Sequence, residues 1–339
     1  MSEKNLCGLT NEEIFRIIKP NGFTSAHAVS ISNGIYRKRI TDTSQINKIP
    51  KKLKTFLETN TRTGIFMPVA AEVSEDKTVK YLFRTETGKK FETVFIPDNS
   101  RNTVCVSTQS GCRRGCPLCI TGRYGFHGNL SAGEIINQII SIPFAENVTH
   151  VVFMGMGEPM DNLKNVLKAC EIITAGWGLA FSPRNVTVST VGITSAVKKF
   201  LIDSDCNLTL SLHSPFAEER KMVVPVERYH PANKIIEMMK THPVKKKRRL
   251  SLAYVMIKDL NDTDIHLEEI KTLLKDSKIR VNLLPYHSAG NDKIVSSSPE
   301  RMQFFKHNLV VSGISASVRR SRGIDISAAC GLLATGLID

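Results

Sequence analysis

The chain has 339 residues, 41% of them hydrophobic and 23% charged, which suits one large catalytic unit with a small appendage. No apolar run reaches the roughly 18 residues of a membrane span, and the polar start MSEKNLCGLTNEEIF lacks the basic head and apolar stretch of a secretory leader, so a cytoplasmic protein without membrane contact is expected. The formal net charge of +14 gathers in YRKR (36–39), KKLK (51–54), KKKRR (245–249) and RRSR (319–322); any one cluster reads as a solvated face, but their sum points to a polyanion, RNA or DNA.

Residues 1–60 predict short helices, first the acid-rich NEEIFRII and then a Ser/Thr-bounded segment ending in KKLKTFLET. Between 61 and 100 the character changes. GIFMPVAAEV, KYLFRTE and KFETVFIP are strand-like runs separated by the turn-prone SEDK and TGKK, a short β extension leading into the core.

From 101 to 339 strand and helix alternate. NTVCVST, THVVFMG, RNVTVST, NLTLSLH, RLSLAYVMI, IRVNLLPYH and ISASVRR predict strands. Between them, SAGEIINQIISI, NLKNVLKACEII, TSAVKKFL, NKIIEMMK, DIHLEEIKTLLK and ERMQFFKHNLVV predict helices. The strands read as apolar on both faces, the pattern of a parallel sheet covered by helices, so the class is α/β with about six βα units in an open sheet or a barrel. In either architecture chemistry collects at the carboxyl ends of the strands. Those ends carry Cys105 to Cys119, GMGE, STVG, SLHS and PYHS.

Four of the eight cysteines lie between positions 105 and 119. In a cytosolic chain, thiols so crowded suggest metal binding or catalysis rather than disulfide staples. Cys112, Cys116 and Cys119 form a C-x3-C-x2-C loop, and three thiolates suit a cubane iron–sulfur cluster with one open iron. Structural zinc is the alternative, but it needs four ligands, and no second hook exists in the sequence. Gly111 and Gly115 give the loop room, and Arg113 and Arg114 are expected beside an anionic cluster. Downstream, Gly155, Met156, Gly157 and Glu158 follow a strand, with the carboxylate a candidate acceptor for an ammonium group. Ser189, Ser211, Leu212 and His213 end two later strands. Taken by themselves, Cys105 and Cys330 read as small buried residues, Glu92 as an exposed strand carboxylate and His213 as either a ligand contact or a satisfied core histidine.

The loop spacing resembles the radical S-adenosylmethionine (SAM) superfamily, with Leu118 where an aromatic residue usually precedes the last cysteine. A narrower resemblance covers essentially the whole chain. ETVFIPDNSRNTVCVSTQSGCRRGCPLC, VVFMGMGEPMDNL, VTVSTVGI, LSLHSPFAEERKMVVPV and RGIDISAACG together resemble the RNA adenosine C-methyltransferases of the RlmN/Cfr family.

That resemblance implies a partial (β/α)6 radical-SAM barrel over 101–339, preceded by a helical RNA-binding accessory domain over 1–60 and the β extension over 61–100. It implies one [4Fe–4S] cluster held by Cys112, Cys116 and Cys119, with SAM as cosubstrate on Gly157, Glu158, Ser189, Ser211, Leu212 and His213. His287 stands where the family usually has Asn, as a further SAM contact. Cys330 would carry the methyl group, Cys105 would form a transient disulfide with it, and Glu92 would accept the ring proton.

One SAM would methylate Cys330. A second would be cleaved to a radical that takes hydrogen from the S-methyl group, and the carbon radical would add to the adenine. The implied reaction is methylation of carbon 2 or carbon 8 of an adenosine in RNA, with 23S rRNA and tRNA as candidate substrates. An electron donor is needed for the cluster and the disulfide. The alternative is a radical SAM enzyme acting on a substrate other than RNA.

Overall fold

In the computed structural model, residues 3–243, 248–288 and 294–334 are described. The first strand, β1 (Lys4–Asn5), is followed by helices α1 (Asn11–Ile18), α2 (Ser25–Tyr36) and α3 (Lys51–Asn60), and the chain returns as β2 (Thr61–Arg62), paired parallel with β1. Helix α1 covers the expected NEEIFRII and opens on a capping box: Thr10 Oγ1 accepts from Glu13 N at 3.2 Å and the Glu13 carboxylate accepts from Thr10 N at 2.8 Å.

Three antiparallel strands come next, β3 (Ala70–Val73), β4 (Val79–Arg84) and β5 (Lys90–Ile96). The βα region begins with β6 (Thr103–Cys105), and a hairpin of β7 (Gln109–Gly111) and β8 (Phe126–Asn129) encloses the short helix α4 (Ile120–Tyr124). Then follow α5 (Ala132–Ile140), β9 (His150–Phe153), α6 (Leu163–Thr174), β10 (Val186–Thr190), α7 (Thr194–Asp203) and β11 (Asn207–Ser211). Helices α8 (Ala217–Val223) and α9 (Ala232–Thr241) precede β12 (Leu250–Met256), α10 (Asp264–Leu274), β13 (Arg280–Pro285), α11 (Pro299–Val311) and β14 (Ala316–Val318).

One sheet runs β14-β13-β12-β11-β10-β9-β6-β5-β4-β3, parallel from β14 to β6 and antiparallel beyond. Its edges are not joined among the described residues, so the barrel is partial, as expected. The seven parallel strands match the seven predicted runs. Their two faces differ, against the reading that both are apolar. Val104, Val151, Phe153, Val186, Val188, Leu208 and Leu250 are buried, and they alternate with half-exposed Thr103, His150, Thr187, Ser189 and Ser211. The inner face is therefore more polar and, at β9 and β10, more exposed than the outer, although Asn207, Thr209 and Ser251 on it are buried.

The N-terminal helices lie against α6 and the segments that follow α5 and α6. Lys168 pairs with Glu13 at 2.6 Å, and Tyr36 meets the Trp177 ring at 6.2 Å. Two arginines of the YRKR run belong to this contact: Arg37 donates to the Gly176 and Gly178 carbonyls, and Arg39 pairs with Glu146 at 3.3 Å. That run is thus largely a docking device and not a free basic face. Within KKKRR, residues 245–247 lie outside the described residues.

Candidate active site

The three-cysteine loop is shaped by its hairpin. Cys112 N donates to Gly125 O at 2.7 Å, and Gly111 has φ +72, where a Cβ would come within 1.8 Å of that same carbonyl. Only glycine fits there. Burial and mutual charge repulsion push the Cys112 and Cys116 thiols up to about 12; Cys119 and Cys112 both act on Cys116. Each of the three is a free, half-buried thiol near enough to at least one other to feel its charge.

Among the described residues no group of three or more His, Cys, Asp or Glu is drawn together for a single metal ion. Three soft donors on one short loop without a fourth fit a multi-iron cluster better than structural zinc, and bound iron would relieve their repulsion. Arg113 stacks over Phe126 at 4.0 Å and Arg114 makes a two-pronged bond to Asp161, because stacking and pairing satisfy these long side chains; both brace the loop.

Gly157 follows with φ +95, and a Cβ there would sit 2.5 Å from Gln109 Cβ. Glu158 is buried yet well provided. Thr190 Oγ1 and Met160 N donate to Oε1 at 2.5 and 2.9 Å, and Val191 N donates to Oε2 at 2.9 Å. Burial nevertheless outweighs these bonds and raises its carboxyl to about 7. Thr190 and Gln109, whose Oε1 accepts from Glu158 N at 2.9 Å, were missed in the sequence although they adjoin predicted residues.

A carboxyl held near 7 when folded and 4.5 when unfolded binds more protons in the folded state between those values. Its contribution is complete below pH 4.5 and is lost as pH rises to 7. Urea unfolding of the cluster-free protein should therefore show wild-type stability falling relative to Glu158→Gln by on the order of 3 kcal/mol across that window. Parallel curves for the two proteins would refute the assignment.

Ser189 is half-buried on the inner face. At the end of β11, Ser211 and Leu212 are held from below by Arg220 of α8, which is only 1% exposed. Its Nη2 donates to the Val191 and Ser211 carbonyls, each at 2.7 Å, its Nε donates to Leu212 O at 3.0 Å, and its Nη1 pairs with Glu227. Arg220 thereby ties two strand ends together, a role that nothing in the run EERKMV announced.

His213, with φ 60, accepts from Val255 N at 3.1 Å through Nδ1, and burial with the Arg220 charge lowers it to about 3. It is thus neutral, with its proton on Nε2. His287 is bonded to Ser321 Oγ at 2.6 Å through Nε2, and burial lowers its pKa.

The segment around Cys330 has no helix or strand, so tethers define it. On one side, Ile120 N donates to Gly331 O at 2.8 Å and Thr121 Oγ1 to Leu333 O at 2.9 Å, both from the end of the cysteine loop. On the other, the antiparallel strands and their turn hold it. Ser74 Oγ donates to Asp325 at 2.6 Å, Gly323 N to Asp76 at 3.0 Å, and Lys80 Nζ to Ile326 O at 2.6 Å. Ala334 N donates to Glu92 Oε2 at 2.8 Å.

Glu92 is 0% exposed, contrary to its unaided reading as a surface carboxylate. Cys330 itself is exposed, contrary to its unaided reading as a small buried residue. Surrounding protein raises its thiol pKa, Arg319 lowers it, and Cys119 raises it further. Buried Cys105 in β6 is in turn pushed up by burial and by Cys330. Cys330 therefore lies between a cluster-loop thiol and Cys105.

A model of the radical SAM superfamily matches residues 106–270. The chain is 40% identical over 335 residues to the probable dual-specificity RNA methyltransferase RlmN of Parabacteroides distasonis, covering 99% of this chain and 98% of that protein. It is 36% identical to the dual-specificity RNA methyltransferase RlmN of Syntrophotalea carbinolica, covering 97% and 89%. The crystal structure of a radical SAM methyltransferase from Sphaerobacter thermophilus superposes with a TM-score of 0.90 at 34% identity, covering 98% of this chain and 100% of that one.

Proposed function

Because the chain belongs to the RlmN family of radical SAM RNA methyltransferases, we propose that it transfers a methyl group through Cys330 to carbon 2 or carbon 8 of an adenosine in 23S rRNA or tRNA. The observation that carries this reading is the position of Cys330, exposed between Cys119 and Cys105 on a segment pinned from both sides. A methyl-carrying thiol must be reachable by its donor, by the substrate and by the group that later displaces it.

Cys112, Cys116 and Cys119 would hold a [4Fe–4S] cluster; with SAM bound, the pair supplies the methyl group and the one-electron chemistry that an unreactive ring carbon demands. Arg319 favours the Cys330 thiolate, the form that accepts a methyl group. Glu158 keeps acceptor capacity for an ammonium beyond its three internal donors, and neutral His213 offers an Nε2–H donor for a carboxylate. Glu92, held by the Ala334 amide within the Cys330 segment, accepts the ring proton, and Cys105 displaces the product by bonding to the Cys330 sulfur. An external electron donor restores the two thiols.

The test is anaerobic. Reconstituted protein, SAM, a reductant and 23S rRNA or tRNA are incubated, and the digested RNA is compared with 2-methyladenosine and 8-methyladenosine standards by mass spectrometry. A C-methylated adenosine, with S-methylcysteine at Cys330 in the tryptic digest, is expected. Iron-loaded protein that cleaves SAM yet leaves both RNAs unmethylated would overturn the proposal. No helix among the described residues is long and apolar enough to cross a membrane.

A further inference from the structure

The inner face of the sheet receives positive charge from three separate elements. Arg101 precedes β6, Arg249 precedes β12 and Arg319 follows β14. Alternation along the strands assigns the face: Val104 and Leu250 are buried against helices, so Cys105 and Arg249 point to the opposite, concave side, as does half-exposed His150 next to buried Val151.

Arg101 lies within reach of the charges of both other guanidiniums, and its neighbour Asp98 contacts Arg322, three residues after Arg319. Partial burial and then the charges of Arg319 and Arg249 lower Arg101, with Asp98 acting the other way, and Arg101 and Arg249 add to burial in lowering His150. Asp98 is exposed and is itself 4.0 Å from Arg322. Among the described residues none of the three arginines has a side-chain hydrogen bond or an ion pair, whereas Arg37, Arg39, Arg114 and Arg220 all do. Around them the face carries the half-exposed hydroxyls of Thr103, Thr187 and Ser189. Like charges held together without a counter-ion cost stability, and an anion that bridges them recovers it.

We propose that Arg101, Arg249 and Arg319 form a phosphate-binding subsite on the concave face, which grips the RNA backbone beside the nucleotide presented to Cys330. Arg319 joins the two functions, since its charge reaches both Arg101 and the Cys330 thiol. The assignment rests on RNA being the substrate. Planar forks suit phosphate oxygens, and contacts of this kind position a strand without reading its sequence.

The experiment measures binding of a labelled RNA hairpin with an adenosine in its loop to the iron-loaded protein, without SAM, across a salt series. For Arg101→Gln/Arg249→Gln, the slope of log affinity against log salt should flatten by about 1.4, two phosphate contacts at about 0.7 each, with affinity near 0.1 M salt lowered about tenfold or more. Lys198→Gln/Lys234→Gln removes the same charge from exposed positions on the outer helices α7 and α9 and should leave the slope unchanged. Arg101→Lys/Arg249→Lys should restore most of the slope.

An unchanged slope in the arginine variant, or an equal drop in the lysine variant, overturns the subsite. Should the double variant not fold, Arg249→Gln alone, at an exposed position, is read for half the effect. Wild-type protein that binds this RNA but methylates neither 23S rRNA nor tRNA would count against the proposed function while leaving the salt slopes to judge the subsite.

Discussion

Cys330→Ala should abolish RNA methylation, an expected loss on the order of 10³-fold or more in turnover, while the iron content of the reconstituted protein is retained. The two readouts separate because of how the site is built. Cys112, Cys116 and Cys119 are placed by the β7–β8 hairpin and its glycines, and their neighbours touch the tail through the Gly331 and Leu333 carbonyls, not through the Cys330 side chain. An alanine at 330 keeps those backbone bonds and leaves the loop intact. It removes the one exposed thiol between Cys119 and Cys105. Cys330→Ser should be equally inactive, because a hydroxyl is far less ionised than a thiol and cannot be released by thiol–disulfide exchange. Iron analysis and RNA mass spectrometry on the same samples decide the matter. Methylation at more than a few per cent of the wild-type rate in Cys330→Ala would remove this cysteine from the pathway.

The second large effect is on stability. Arg220→Met should cost about 3–5 kcal/mol, because it leaves Glu227 buried without its cation. The same change strands the carbonyls of Val191, Ser211 and Leu212, which sit at the ends of β10 and β11. Against a typical total of about 5–15 kcal/mol, this brings the protein near the edge of folding. Arg220→Met/Glu227→Met should recover only part of the loss, since the ion pair is gone but the carbonyls still lack donors. The check is urea unfolding, read as a shift in midpoint at constant slope. A shift below about 1 kcal/mol for the single variant would show that the buried arginine is not the tie between the strand ends.

Much of this architecture is legible in the residues. NEEIFRII is helix α1 to the residue, and each of the seven strand-like runs after position 101 contains one parallel strand, because long alternations of β-branched stretches and 3.6-period stretches have few other solutions. The β7–β8 hairpin is not legible. QSG and FHGN are short, glycine-bearing and polar, and they pair only because the cysteine loop between them closes. Nor does local pattern reveal that Glu92 is sealed from water, since its partner Ala334 lies at the far end of the chain. The YRKR run misleads for a related reason: composition records charge but not whether a charge is already satisfied, and Arg37 and Arg39 are. The three arginines on the concave face make the complementary case, since no two of them are near neighbours in sequence.

The tethers of the Cys330 segment also set the order in which the protein can be completed. Ser74 waits for Asp325, 251 positions later; Lys80 waits for Ile326, 246 later; and Glu92 waits for Ala334, 242 later. Contacts of such long range cannot form on a nascent chain until nearly all of it has left the ribosome. The sheet as far as β13 and the three-sulfur loop can be assembled before that. A stalled or shortened product would therefore own most of the scaffold without its Cys330 segment, and on the proposed reading the methyl carrier would take its place only when that segment has docked.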